Sequence, residues 1–193
     1  LADEKFREAI PYLNQVVNAK DNNSLKPQAY LKLGVAHYNL NNNTEALNNY
    51  KKLVSSYPNS QEAEDAIANI RVIYVEEGRT DEFASFMRQA GRPLSVSSED
   101  SLSWAAAELQ YQAGNTSAAL TSFNNYIQRF PGGANVIDAY YYRGEIYRTR
   151  KDWPNALVNY EYVASKAPNR YAESSVLYAS RIYFFELKEY VKA

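Results

Sequence analysis

The sequence contains no cysteine, and histidine and methionine occur only once each among its 193 residues. Without cysteine, the chain can form no disulfide, no thiolate nucleophile and no cysteine-ligated zinc site. The single histidine, His37, cannot supply a pair of imidazole ligands. No apolar run exceeds four residues, which excludes a membrane-spanning helix. Carboxylates, hydroxyls, lysine and arginine are therefore the groups that remain for chemistry.

Neither sign of charge is in excess, because 21 basic and 22 acidic side chains leave a net charge of −1. We therefore expect no nucleic-acid partner and no direct insertion into a membrane. A glycine-rich phosphate loop is missing, since every glycine stands alone except Gly132-Gly133. Glu108 and Glu145 are the carboxylates nearest to an acid–base pair, and nothing distinguishes them from solvated residues. We expect no catalytic residue, no metal site and no cofactor, and hence no enzyme.

The remaining pattern is helical. Pro58, Pro131 and Pro168 each follow one apolar stretch and precede another, as at the junction of two helices. Strand-like alternation with Asn-Gly turns is absent, so the predicted fold class is all-α. The predicted helices are 3–19, 25–40, 43–57, 60–77, 80–91, 97–113, 116–130, 134–150, 153–167 and 169–187, with another starting near 190.

An internal repeat of 36 or 37 residues runs along the chain. It relates small or apolar residues at Ala9, Ala46, Phe83, Ala119, Ala156 and Ala193. Four residues after the first five of these stand the large side chains of Leu13, Tyr50, Met87, Phe123 and Tyr160. The period predicts helix pairs that bury their apolar faces by stacking on neighbouring pairs.

Two segments carry a fuller motif. The first reads Tyr30-x-x-Leu33-Gly34-x-x-His37, Ala46-x-x-x-Tyr50 and Pro58, and the second reads Tyr140-x-x-Arg143-Gly144-x-x-Tyr147, Ala156-x-x-x-Tyr160 and Pro168. Both resemble the tetratricopeptide repeat. We expect glycine and alanine to let the two helices of a pair approach closely, and the aromatic ring to fill the space between pairs.

The resemblance implies an all-α, right-handed α-solenoid of antiparallel helix pairs over residues 1–193. The expected organisation is a half repeat at 1–20, four repeats at about 25–58, 60–93, 97–131 and 134–168, and a partial repeat at 169–193. The two middle repeats are degenerate, because Phe83 replaces the small residue and Arg71 and Ala107 replace glycine. The longest break between helices, from Gly91 to Val96, lies there, and we expect an irregularity near residues 78–100.

The Tyr57-Pro58-Asn59-Ser60 form of the repeat is similar to repeats of bacterial cell-envelope proteins, such as the outer-membrane-protein assembly lipoprotein and the Tol-Pal accessory protein. This similarity suggests a periplasmic or outer-membrane-associated location. No polar capping helix is visible at either end, so we expect a fragment of a longer solenoid. Exposed apolar end faces would then favour end-to-end self-association of the fragment.

In tetratricopeptide repeats the first helix of each pair lines a concave groove. The resemblance places these partner-binding residues there: Tyr38, Asn39, Glu76, Trp104, Glu108, Tyr111, Tyr141, Glu145, Arg148, Tyr178 and Phe185. Val72 falls on the same face. The groove would be aromatic and acidic, and would prefer a neutral or basic segment. For Trp104, Tyr111 and Tyr141 the sequence leaves a place in the groove and a place in the core equally open.

The leading hypothesis is a non-catalytic scaffold that binds a protein or peptide of unknown identity in this groove. The alternative is a glycan-binding module of a bacterial surface protein, because exposed aromatic rings also stack on sugars. Glycan-binding proteins built on related helical repeats carry large insertions for the sugar site, and this sequence has none.

Overall fold

The computed structural model describes residues 2–20 and 24–192, and the regular structure in them is entirely helical. The helices are α1 (Ala2–Asn18), α2 (Lys26–Asn39), α3 (Asn43–Ser56), α4 (Gln61–Glu76), α5 (Thr80–Gln89), α6 (Val96–Gln112), α7 (Thr116–Arg129), α8 (Val136–Thr149), α9 (Trp153–Ser165) and α10 (Ala172–Arg181), and a π-helical segment, Ile182–Leu187, continues α10. The predicted helical segments match these bounds to within three residues. The all-α prediction is confirmed.

The chain divides into two compact units, the first ending at Leu94 and the second beginning at Ser95. In the first unit each helix from α1 to α5 packs on the next, and α2 also contacts α4. In the second unit α6 to α10 pack in the same consecutive way. The division falls within the break that the sequence analysis singled out between Gly91 and Val96.

Local sequence signals set the helix ends. The Ser60 hydroxyl accepts a hydrogen bond from the Ala63 N–H at 3.2 Å and caps the N-terminus of α4. Gly91, after α5, has a φ of +74°, and Gly114, after α6, has a φ of +75°. Glycine adopts this left-handed conformation without the steric cost that a Cβ brings, so both helices end there.

In two of the helix pairs an aromatic ring of the second helix lies on a glycine of the first. A Cβ added to Gly34 in α2 would lie 2.6 Å from Cζ of Tyr50 in α3, and a Cβ on Gly144 in α8 would lie 2.9 Å from Cε1 of Tyr160 in α9. Tyr50 is 1% exposed and Tyr160 is fully buried. The predicted close approach at glycine is confirmed. The rings contact the glycine of their own pair, because a bare backbone is where a large ring fits.

The ends of the described chain differ from expectation in one respect. Lys188 adopts the left-handed conformation with a φ of +57°, and the N–H of Glu189 donates to the carbonyl of Tyr183 at 2.9 Å. The N–H of Lys188 also donates to this carbonyl, and the helix ends at the left-handed Lys188. Residues 190–192 form a turn, so the prediction of a helix starting near 190 is wrong for them. Ala193, the last position of the period, lies outside the described residues.

None of the helices in residues 2–20 and 24–192 combines the length and the apolar character that crossing a membrane requires.

Candidate functional site

The predicted groove residues lie on the first helices, except Phe185, which lies on the π-helical segment that continues α10. We call α2, α4, α6, α8 and α10 the first helices, and α3, α5, α7 and α9 the second helices. Tyr38, Asn39 and Glu76 belong to the first unit, and the other eight predicted residues belong to the second.

In the first unit, two of the three predicted residues meet. The Tyr38 hydroxyl, on α2, lies 2.9 Å from both carboxylate oxygens of Glu76, on α4. Burial raises the pKa of Tyr38, and the hydrogen bond to Glu76 raises it further. Asn39 is not part of this contact, since its amide donates to the Val35 carbonyl of its own helix at 2.8 Å.

In the second unit, Trp104 is a packing residue. Its ring centroid lies 5.8 Å from that of Phe123, 5.7 Å from that of Tyr126 and 6.1 Å from that of Tyr142. Tyr142 also stacks on Tyr111, with the centroids 4.7 Å apart. Both Trp104 and Tyr111 are half-buried, so each is fixed between α6, α7 and α8 with part of its surface left to solvent.

A hydrogen-bonded triad fixes the predicted residues of α8. The Tyr160 hydroxyl donates to Oε1 of Glu145, and Nη2 of Arg148 donates to Oε2 of Glu145 at 2.7 Å. Nε of Arg148 also lies 3.1 Å from the Tyr160 oxygen. The hydrogen bond to Glu145 raises the pKa of Arg148, while burial and then Glu145 raise the pKa of Tyr160. Glu145 is thereby neutralised by Arg148 and adds no net negative charge to the surface.

Arg148 links α8 to α10. Its guanidinium carbon lies 4.7 Å from the ring centroid of Tyr178, where a cation–π interaction is favourable. Arg148, Tyr178 and the 65%-exposed Phe185 line a cleft of about 360 Å³, with Trp153 on its wall. The structure therefore brings the last three predicted residues together around one opening.

Tyr141 lies on the same first helix. Its ring stacks on that of Tyr171 with the centroids 4.1 Å apart and the planes 10° from parallel. Burial raises the pKa of Tyr141 to about 12, with smaller contributions led by the charge of Glu145. Like Trp104, Tyr141 is a half-buried residue whose ring is fixed by its neighbours.

Of the two predicted glutamates of the second unit, Glu108 and Glu145, only Glu108 has no cation partner among the described residues. It is half-buried on α6, one turn before Tyr111. Among the described residues, Glu108 has no hydrogen-bond or ion-pair partner. The predicted acidic bias of this face depends here on Glu108 alone, since Glu145 is paired with Arg148.

The sequence analysis missed three aromatic residues of this region. Tyr171 stacks on Tyr141, and its hydroxyl donates to Asp138 at 3.1 Å. Tyr142 separates Trp104 from Tyr111, and Trp153 lines the cleft at Phe185. Tyr171 stands just before α10 begins, although the predicted helix 169–187 included it, and it occupies none of the repeat-motif positions, so the motif gave no signal for it.

Histidine, aspartate and glutamate do not gather into a possible metal site of three or more residues anywhere in the described ranges.

Comparison with known families decides what kind of repeat this is. The tetratricopeptide repeat family matches residues 28–60, which include α3, and residues 104–170, which run from α6 to just beyond α9. The two matches together cover just over half of the chain. The chain belongs to the tetratricopeptide repeat family. The predicted architecture of stacked helix pairs is confirmed in each unit.

Comparison with individual proteins says less about this tetratricopeptide repeat protein than the family match does. One solved structure, described as MamA AMB-1, is 13% identical to it, and the similarity covers 90% of this chain and 89% of that chain. Its TM-score of 0.37 is too low to support an argument about fold or function. No match was found among curated proteins.

Proposed function

We propose that this tetratricopeptide repeat protein is a non-catalytic scaffold that binds a protein or peptide segment on its first helices. Tetratricopeptide repeats mediate protein–protein interactions, and stacked repeats present extended surfaces suited to such binding. The observation that supports the proposal most directly is the cleft of the second unit, where Arg148, Tyr178 and Phe185 meet. Aromatic residues and arginine contribute a large share of the binding energy at many interfaces.

The triad makes the cleft suitable for tight binding. Tyr160 and Glu145 hold the Arg148 guanidinium in place before any partner arrives. An arginine that is already ordered loses little conformational entropy on binding, so more of its contact energy appears as affinity. The same hydrogen bonds argue against catalysis, because the Glu145 carboxylate is not free to exchange a proton with a substrate.

The charge on these faces favours a neutral or basic partner. Among the described residues, Glu108 brings to the second unit a carboxylate that no cation neutralises. A lysine or arginine near the middle of the bound segment would interact favourably with Glu108. Within the same proposal, the Tyr57-Pro58-Asn59-Ser60 form of the repeat supports a place in the bacterial cell envelope.

The test is selection of binding peptides from a random display library, followed by fluorescence anisotropy with the best peptide. We expect Phe185→Ala to weaken that peptide by about tenfold or more, since Phe185 is an exposed aromatic anchor. Glu108→Gln should weaken a basic peptide by about two- to fivefold. Val158→Ala, at an exposed residue of α9, and Glu173→Gln, on α10, are the matched controls and should bind as the parent does.

Circular dichroism of each variant establishes that the helices are intact. Failure to select any peptide, or equal binding by all four variants, would contradict the proposal. A glycan array run on the same variants covers the alternative function. Glycan binding that depends on Phe185 in the absence of peptide binding would favour a sugar-binding module.

A further inference from the structure

A second, larger cleft lies in the first unit, between the second helices α3 and α5. Its volume is about 690 Å³, within the range of about 300–1,000 Å³ typical of ligand pockets. Val54, Pro58 and Phe86 supply apolar surface to it, and Lys51, Lys52 and Arg92 supply positive charge. We call this opening the second-helix cleft. It is separate from the first-helix residues to which the proposed scaffold function is assigned.

The charge of the second-helix cleft is one-sided. Three of its ten lining residues are cations and none is a carboxylate, although the whole chain carries a net charge of −1. Concentrating positive charge in one opening of a nearly neutral protein attracts anionic partners.

The three cations differ in how firmly they are held. Lys51 is half-buried, and its ammonium donates to the Tyr74 hydroxyl at 2.6 Å and lies 5.7 Å from the ring centroid of Phe86. The carboxylate of Glu82 is near enough to attract the Lys51 ammonium electrostatically, without a hydrogen bond between them. Lys52 is exposed.

The third cation has an acidic neighbour. Arg92 pairs with Glu64 at 2.6 Å, and both side chains are more than two-fifths exposed. Water screens such an exposed pair, so it costs little to replace Glu64 by a carboxylate of a partner.

We propose that the second-helix cleft binds a peptide segment in which acidic residues flank an apolar side chain. The apolar side chain would contact Val54 and Phe86, while the flanking carboxylates pair with Lys52 and Arg92. The amides of Asn48 and Gln89, which also line the cleft, offer donors and acceptors to the main chain of such a segment. A nucleic acid or a lipid headgroup would satisfy the cations but leave the apolar surface exposed, so the peptide fits the lining better.

The inference extends the proposed function to a second surface. The first helices would take a neutral or basic segment, and the second helices of the first unit an acidic one. The two surfaces are tested with different variants and different peptides. Failure of one test therefore leaves the other standing.

The experiment titrates a fluorescein-labelled peptide of about ten residues, with one central phenylalanine between aspartates and glutamates, into the whole chain. We expect saturable binding that Lys52→Glu weakens by about fivefold or more, because a salt bridge is replaced by a repulsion. Lys32→Glu, the same change at an exposed lysine of the first helix α2, is the matched control and should bind like the parent. A peptide with alanine at its centre should bind about tenfold more weakly.

Amide resonances of Phe86 and Ala90 should shift on addition of the labelled peptide, and at the same subsaturating peptide concentration they should shift less in the Lys52→Glu variant. The proposal is overturned if the peptide shows no saturation by about 1 mM, or if Lys32→Glu weakens it as much as Lys52→Glu does. It is also overturned if the alanine peptide binds equally well, or if inorganic phosphate or vesicles containing phosphatidylserine displace the peptide completely. Equal binding of the alanine peptide, or displacement by phosphate or vesicles, would indicate a general anion-binding surface.

Discussion

Replacing Gly34 by alanine should destabilise the first unit, and the size of the effect follows from one contact. The added Cβ would lie 2.6 Å from Cζ of Tyr50 and closer still to two other ring atoms. Tyr50 is 1% exposed, so its ring has little space into which it can move. Overpacking of a core costs about 1–3 kcal/mol, and a contact this short belongs near the upper limit.

An opposing gain reduces this cost. Alanine is favoured over glycine in a helix by about 1 kcal/mol, which leaves a net loss of about 2 kcal/mol for Gly34→Ala. Gly144→Ala should cost less, because its Cβ would stay 2.9 Å from the nearest atom of Tyr160. Gly132→Ala is the control, since a Cβ there meets nothing within 4 Å, and it should change stability by less than about 0.5 kcal/mol.

Urea unfolding followed by circular dichroism measures the three free energies. A double variant, Gly34→Ala with Tyr50→Leu, separates the clash from other effects. The smaller side chain should make the alanine harmless, which appears as a favourable coupling of about 1 kcal/mol or more between the two positions. The reasoning is refuted if Gly34→Ala is as stable as the parent chain, or if the coupling is absent.

Two further predictions concern the triad and the buried tyrosines. Glu145→Gln removes the carboxylate that binds Arg148 and Tyr160, so urea unfolding should show a loss of about 1–3 kcal/mol, and an unchanged stability would contradict the triad. Burial raises the pKa of Tyr50 and Tyr126 from 10 to about 12. Because a raised pKa favours the protonated folded state, this stability is complete below pH 10 and is lost as the pH rises through about 12, which tyrosinate absorbance and circular dichroism recorded together can check.

Much of the fold could be predicted because it depends on the spacing of residues that are close together in the sequence. Gly34 and Tyr50 stand 16 residues apart, as Gly144 and Tyr160 do, and such pairs identify which faces of neighbouring helices meet. The break after Gly91 was visible too, since it is one of the longest stretches between two predicted helices. Periodicity is a property of one helix and its immediate neighbour, so these features require no knowledge of distant contacts.

The candidate sites depended on contacts that spacing does not contain. The sequence placed Trp104 and Tyr141 on the first-helix face but could not divide them between surface and core. Trp104 is covered by Tyr142 of α8, and Tyr141 is covered by Tyr171, which precedes α10. The structure shows contacts among the predicted residues within each unit. That these residues line one groove that binds a partner stays a prediction.

Charge was the other feature that escaped the sequence analysis. The sequence set Arg148 against three glutamates of the groove, but it did not show that Arg148 pairs with Glu145, one helical turn away. The second-helix cleft was invisible because Lys52 and Arg92 are 40 residues apart and belong to no motif. The tetratricopeptide repeat motif consists of the positions that pack helices together, so it does not predict a pocket on the second helices.

The ring that lies on a glycine has a consequence for how such a chain can change over evolutionary time. The side chains at two positions 16 residues apart fill the same space between the two helices of a pair. A larger residue at the first position therefore requires a smaller or more flexible residue at the second. The four repeats show the combinations Gly34 with Tyr50, Arg71 with Met87, Ala107 with Phe123, and Gly144 with Tyr160. Tyrosine occurs only opposite glycine, and the bulkiest first residue stands opposite flexible methionine. In related repeats these two positions should therefore covary, and a lone glycine replacement should be rare wherever tyrosine is kept.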